Sequence, residues 1–316
     1  MSFGPITDFS RAKGKPRSRR AWPTCVMVAV GLLAVGIQAG SSAADMTVAD
    51  YSPNVNDRFN DSPDFLGAAY NFSGVGYVST STGPVTWATM ISPQYFVSAT
   101  HFYPGEGGVG PTQLTFHSTN NPNTGIYTAT IETGYPVYDL QGNPSDLWLG
   151  MLTEPIPASA DISYYPIAYS PSGNYIGLGV YMYGLPNRLG YNVITGTSQG
   201  DVINSEYSHF FDWTYNSTVA NESYGNPGDS GGPSFAVVNG SLALIGTTTF
   251  PEAATLVPYY LQRVQALMAL TDSQPQVVAV PEPPALSLLG IGVLALGLRR
   301  RTRRGGRGAS DTLEHH

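Results

Sequence analysis

An all-β body followed by a single helix is the fold class this sequence predicts, and three observations predict it. From residue 75 to residue 248, short runs of β-branched and aromatic residues alternate with turns of Gly, Pro and Asn. The runs fall into two groups of about six. After the last of them, Val257, Leu261, Val264 and Met268 recur at i, i+4, i+7 and i+11, one apolar stripe with Pro258 tolerated in the first turn.

The elements follow in chain order. Residues 1–24 carry Arg11, Lys13, Lys15, Arg17, Arg19 and Arg20; Cys25 to Ile37 is uninterruptedly apolar or small, and Ser42-Ala43-Ala44 offers small residues for cleavage. That is a secretory signal over 1–44, cut between Ala44 and Asp45. Residues 45–69 begin polar, rich in Asn and Asp, and read as a flexible lead-in. The first strand group is Val75–Val78, Val85–Ile91, Tyr95–Ala99, Gln113–His117, Ile126–Glu132 and Leu147–Leu152. The second is Leu178–Tyr183, Tyr191–Thr195, His209–Thr214, Ser234–Val238 and Leu242–Thr248. The helix spans 257–270, and 274–284 is a Pro-rich linker. An apolar stretch, Ala285 to Leu298, then meets the cluster Arg299-Arg300-Arg301-Thr302-Arg303-Arg304, and 305–316 is a tail. At ~1.5 Å per residue the apolar stretch reaches about 21 Å against a ~30 Å hydrocarbon core, a marginal membrane helix that contacts the membrane at least in transit.

Removing these ends changes the electrostatics. Of 15 Lys and Arg, six lie in residues 1–44 and six in 299–316, leaving Arg58, Arg188 and Arg263. Of 22 Asp and Glu, only Asp8, Asp311 and Glu314 are lost, so the body keeps 19 acids and a formal charge of about −16. That field disfavours nucleic acid and anionic membrane surfaces as partners. The single cysteine of the chain, Cys25, lies in the signal, so the body has neither disulfide nor thiolate metal site. No cofactor is called for. A body of this size buries a core without such staples.

The chemistry concentrates at Gly228-Asp229-Ser230-Gly231-Gly232-Pro233. A serine hydroxyl becomes a nucleophile when a tight turn presents it to a base and backbone N–H groups face the developing oxyanion. Here Gly228 and Ser230 supply such N–H groups. The base is His101, which ends the apolar run Tyr95 to Thr100; His117 and His209 sit in polar surroundings without an evident partner, and His315 and His316 are terminal. A carboxylate must orient that imidazole. Asp146, at the mouth of the apolar run Leu147 to Leu152, fits, with Asp139 in reserve.

The order His101, Asp146, Ser230 is that of the chymotrypsin-like serine peptidases. Gly-Asp-Ser-Gly-Gly-Pro matches the nucleophile motif of that family in full, Ser98-Ala99-Thr100-His101 resembles its Thr/Ser-Ala-Ala-His with Thr100 for an Ala, and Asp146-Leu147-Trp148-Leu149 resembles its Asp segment. Lacking cysteines, the body is most similar to the bacterial members. The resemblance implies an all-β fold of two six-stranded antiparallel barrels of chymotrypsin type with a C-terminal helix. These barrels cover about 70–158 and 159–255 within a peptidase domain of 70–273. It also implies a site in the cleft between barrels, a protein or peptide substrate, and no metal. The position six before the nucleophile, acidic in trypsin-type members, is Tyr224, which removes the basis for Lys or Arg preference. Thr249, Phe250 and Pro251 are expected along a pocket wall that suits an uncharged side chain. No Ile-Val-Gly-Gly-like segment follows a basic residue, so Asp229 has another partner than a freed amine or the site is preformed.

Pro281-Glu282-Pro283, the apolar stretch and the Arg cluster together resemble the PEP-CTERM sorting signal of exported bacterial proteins. That resemblance implies the export machinery and an exosortase as partners and an extracellular or cell-envelope location, anchored by the C-terminal segment before processing. Two other functional readings stay open: an inactive envelope or adhesion protein on the same fold, and an esterase using the same triad.

Overall fold

In the computed structural model, residues 44–80, 83–105, 112–202 and 207–280 are described. The expected export signal apart from Ala44, the apolar segment 285–298, the Arg cluster and the tail lie outside them. None of the described helices is long and apolar enough to cross a membrane.

Chain order begins with a two-residue strand β1 (Thr47–Val48), a one-turn helix α1 (Pro53–Asn56) and a 3-10 turn at Arg58–Asn60. Six strands follow: β2 (Val75–Thr80), β3 (Gly83–Met90), β4 (Tyr95–Ala99), β5 (Gln113–His117), β6 (Ile126–Tyr138) and β7 (Pro144–Leu152). They close a barrel in the order β2-β3-β4-β7-β6-β5. Its interior is filled by Phe96, Leu114, Phe116, Ala88, Met90 and Leu152, all buried. The packing there is tight: a Cβ on Gly150 would come within 2.0 Å of the Phe96 ring, which only glycine permits.

The second half contains β8 (Ile167–Tyr169), β9 (Gly179–Gly184), β10 (Arg188–Val193), β11 (Gly196–Asp201), β12 (Tyr207–Asp212), β13 (Ser223–Tyr224), β14 (Pro233–Val238), β15 (Ser241–Phe250) and β16 (Ala253–Leu256). A 3-10 turn at Val257–Tyr260 leads into α2 (Leu261–Met268), and β17 (Val277–Ala279) ends the described chain. Here the expectation of a six-stranded closed barrel is met only in part. Among the described residues the second sheet has nine strands, running β10-β9-β14-β15-β16-β12-β11, with β8 on β15 and β17 on β8. Among the described residues β10 and β11 share no ladder, because the outer edge of β10 is taken by the segment before β13: Tyr191 N–H donates to the Asn221 carbonyl at 2.7 Å. Strands β14 and β15 are buried almost throughout. One face, Ala236, Val238, Ala243 and Ile245, packs within the second sheet. The other, Phe235, Leu242 and Leu244, packs with Trp87, Val97, Leu147 and Leu149 of the barrel. Burial on both faces explains why these strands read as unbroken apolar runs.

The helix is where its stripe places it, Val257, Val264 and Met268 being fully buried in the core shared by the two halves. Two stretches differ from expectation. Residues 45–64, polar enough to read as a flexible lead-in, are packed down: Met46 and Asn56 are 0% exposed and Arg58 is 1% exposed. The Arg58 guanidinium has no carboxylate partner among the described residues, and instead donates to the carbonyls of Phe72, His117 and Thr119 and to Asn120 Oδ1. The expected linker at 274–284 contains β17, which pairs in parallel with β8 from Val277↔Ile167 to Ala279↔Tyr169.

Candidate active site

Strand register brings His101 and Asp146 together. Ala99 of β4 lies opposite Leu147 of β7, and the pairing continues one step as Thr100 N–H donates to the Asp146 carbonyl at 3.2 Å. The next residue, His101, therefore arrives over the Asp146 side chain. Its main-chain N–H donates to Oδ1 at 2.9 Å, and its Nδ1 lies 2.8 Å from Oδ1 and 2.9 Å from Oδ2. The Asp146 side chain is 0% exposed and that of His101 9%. With the carboxylate on Nδ1, the other ring nitrogen faces outward, and His101 Nε2 lies 2.9 Å from Ser230 Oγ.

Ser230 reaches that position on the turn between β13 and β14. Gly228 and Gly231 adopt φ of +105° and +80°, conformations that favour glycine. Gly231 also lies against β4, where a Cβ would come within 2.6 Å of Ser98 Oγ. The turn is tied internally by Asp229 N–H to the Asn226 carbonyl (3.0 Å) and Gly232 N–H to the Asp229 carbonyl (2.9 Å), and to β15 by Gly231 N–H to the Thr248 carbonyl (2.8 Å). Among the described residues these bonds leave the N–H groups of Gly228 and Ser230 unused. From the barrel, Trp87 Nε1–H donates to the Gly228 carbonyl at 3.1 Å and fixes the peptide between the two.

A family model described as Trypsin matches residues 68–270. The chain belongs to the trypsin family. A second model, the PEP-CTERM protein-sorting motif, matches residues 279–301, so this trypsin-family chain carries a PEP-CTERM signal. No curated protein matches it.

In this trypsin-family chain Asp229, the residue before Ser230, has main-chain partners. Leu185 N–H donates to Asp229 Oδ1 and Asn226 N–H to Oδ2, both at 2.7 Å. Burial pushes the Asp229 carboxyl up to about 7, against the pull of those N–H groups and of Arg188. Of the four expected pocket residues, Pro251 accepts from Gly225 N–H at 2.9 Å, beside Tyr224, whose ring lies 5.8 Å from that of Tyr215. Phe250 is edge-on to Phe210 at 5.5 Å. Thr249 turns inward to Thr255 Oγ1 at 2.8 Å. A Cβ at Gly225 would stand 3.5 Å from both Pro251 and Thr248, an ordinary van der Waals distance that leaves room for a methyl group there.

The reserve carboxylate, Asp139, is occupied elsewhere, accepting from the N–H groups of Gln141 and Asn143 in its own loop. His117 and His209 have partners that their polar surroundings did not reveal: His117 Nε2 lies 2.9 Å from Tyr77 Oη, and His209 stacks on Tyr259 at 3.5 Å. Among the described residues no group of three or more His, Cys, Asp and Glu is placed to hold a metal ion. Sequence reasoning missed Ser208, Trp87 and Asn226. Ser208 of β12 is fully buried, and its Oγ accepts the Asp146 N–H at 2.6 Å, a bond from the second sheet to β7 of the barrel.

Proposed function

We propose that this protein is a secreted serine endopeptidase that cleaves peptide bonds with His101, Asp146 and Ser230. The observation that carries the reading is the unbroken line from a buried carboxylate through Nδ1 and Nε2 of one imidazole to the Ser230 hydroxyl, at 2.8 and 2.9 Å. Ser230 Oγ attacks the scissile carbonyl carbon while its proton passes to His101 Nε2. Asp146 holds the tautomer and balances the imidazolium. The carbonyl oxygen, now an oxyanion, is met by the Gly228 and Ser230 N–H groups. His101 then protonates the leaving amine, the C–N bond breaks, and water attacking the acyl-enzyme under the same base releases the second product.

Tyr224 at the position six before Ser230, with Phe250 and with Pro251 joined to Gly225 by a main-chain hydrogen bond, supports an uncharged side chain before the scissile bond. The peptidase domain is assigned to 70–273, with export directed by 1–44. The sorting signal passes the chain to an exosortase at the cell envelope, where the apolar segment holds it until processing.

Ser230→Ala is the deciding experiment. It is expected to abolish casein hydrolysis and labelling by a fluorophosphonate probe, both present in the native chain. Native rates on casein retained by Ser230→Ala would overturn the assignment. Hydrolysis of a short-chain ester with casein left intact would make the enzyme an esterase instead.

A further inference from the structure

Asp229 is 1% exposed, and the two main-chain donors that hold its carboxylate are themselves tied to one short segment. On one side, the Leu185 carbonyl accepts Met46 N–H at 2.9 Å. On the other, Asn226 Nδ2 donates to the Asp45 carbonyl at 2.6 Å and to Thr47 Oγ1 at 2.9 Å. Both hydrogens of that amide are therefore used. The segment is anchored in turn. Arg188 donates to the Met46 carbonyl at 2.7 Å, Met46 is 0% exposed, and β1 pairs with β13 through Thr47↔Tyr224 and Val48↔Ser223. Asp229 is thus bracketed from both sides by residues 45–48.

We propose that residues 45–48 act as a strap that assembles the nucleophile turn, and that Asn226 is the positioning residue through which the strap acts. The proposal rests on reading Ser230 as the nucleophile. Asn226 joins the strap to the turn: its amide group reaches the strap, and its main chain brackets Asp229 with an N–H to Oδ2 and a carbonyl to the Asp229 N–H. Without the amide, residue 226 loses its hold on the strap, the carboxylate loses a fixed donor, and the peptides at Gly228 and Ser230 lose their common aim.

The test uses the full chain. Asn226→Ala is expected to lower kcat by about 10- to 100-fold with KM changed by less than about threefold, the signature of a misaimed site. Amide hydrogen exchange over residues 226–232 should accelerate in the same variant. Thr47→Val should accelerate that exchange more weakly, and should add nothing in the Asn226→Ala background. Repeating the exchange in a Ser230→Ala background reads the strap without catalysis, so failure of the strap and failure of the peptidase reading are separately visible. The strap is refuted if kcat stays within about twofold and exchange is unchanged, or if KM rises while kcat is kept. Should Asn226→Ala not fold, unchanged exchange in Thr47→Val refutes it equally.

Discussion

Ser208→Ala separates what holds the triad strand in place from what performs the chemistry. The Ser208 hydroxyl is fully buried and accepts the Asp146 N–H at 2.6 Å. Replacement by alanine removes one oxygen, leaves almost no cavity, and strands a buried N–H, which costs about 1–3 kcal/mol. For a domain of this size each kcal/mol moves Tm by about 2–4 °C, so a fall of about 2–12 °C is expected. Catalysis should suffer much less. All three contacts from His101 to the Asp146 carboxylate survive the change. We expect kcat on casein within about tenfold of native, whereas a tautomer-disrupting Asp146→Asn loses about 10⁴-fold. Thermal unfolding by circular dichroism and steady-state casein hydrolysis measure the two effects. An unchanged Tm would show that the Ser208 bond contributes nothing. A kcat as low as that of Asp146→Asn would show that Ser208 governs the carboxylate itself, and the separation argued from these distances would be wrong.

Two further outcomes follow. Gly231→Ala must accommodate a Cβ at φ +80° that comes 2.6 Å from Ser98 Oγ and 3.1 Å from the Ala99 nitrogen; urea unfolding should show a loss of about 2–5 kcal/mol, with slower fluorophosphonate labelling. Because Asp229 is raised from 3.8 to about 7 by burial, its contribution to stability is complete below the unfolded pKa and is lost as pH rises through about 7. Asp229→Asn lacks that dependence, so the stability gap between native and variant should shrink by roughly 2 kcal/mol from pH 5 to pH 8 in urea titrations, and a gap independent of pH would contradict the raised value.

How much was legible in the sequence depended on whether a residue's partners lay within its own pattern. Strands β4 and β5 run from Tyr95 to Ala99 and from Gln113 to His117, the limits read from their apolar character. The nucleophile turn announced itself because glycine is demanded at Gly228 and Gly231 by φ values that other residues avoid. Strand β11, Gly-Thr-Ser-Gln-Gly-Asp, carries no apolar residue and exists through its ladder with β12. Strands β8 and β17 are three residues each and form by parallel pairing of segments far apart in sequence. The lead-in misled for a related reason. Asn56 is polar yet fully buried, satisfied by the Leu189 carbonyl, Asn221 Oδ1 and the Ser52 N–H. Hydropathy cannot distinguish such an asparagine from a solvated one, because the difference lies in its partners. Ser208, Trp87 and Asn226 escaped on the same ground.

The pairing of β17 sets how far the trypsin-family domain stands from the segment that follows it. Val280 is 4% exposed and gives its N–H to the Tyr169 carbonyl at 2.9 Å, yet the sorting motif has already begun at residue 279. Only Pro281 to Pro284 separate the last rung from the apolar segment, and four residues reach at most about 14 Å. Any surface that holds the apolar segment therefore also holds the last strand of the folded domain within about that distance of itself.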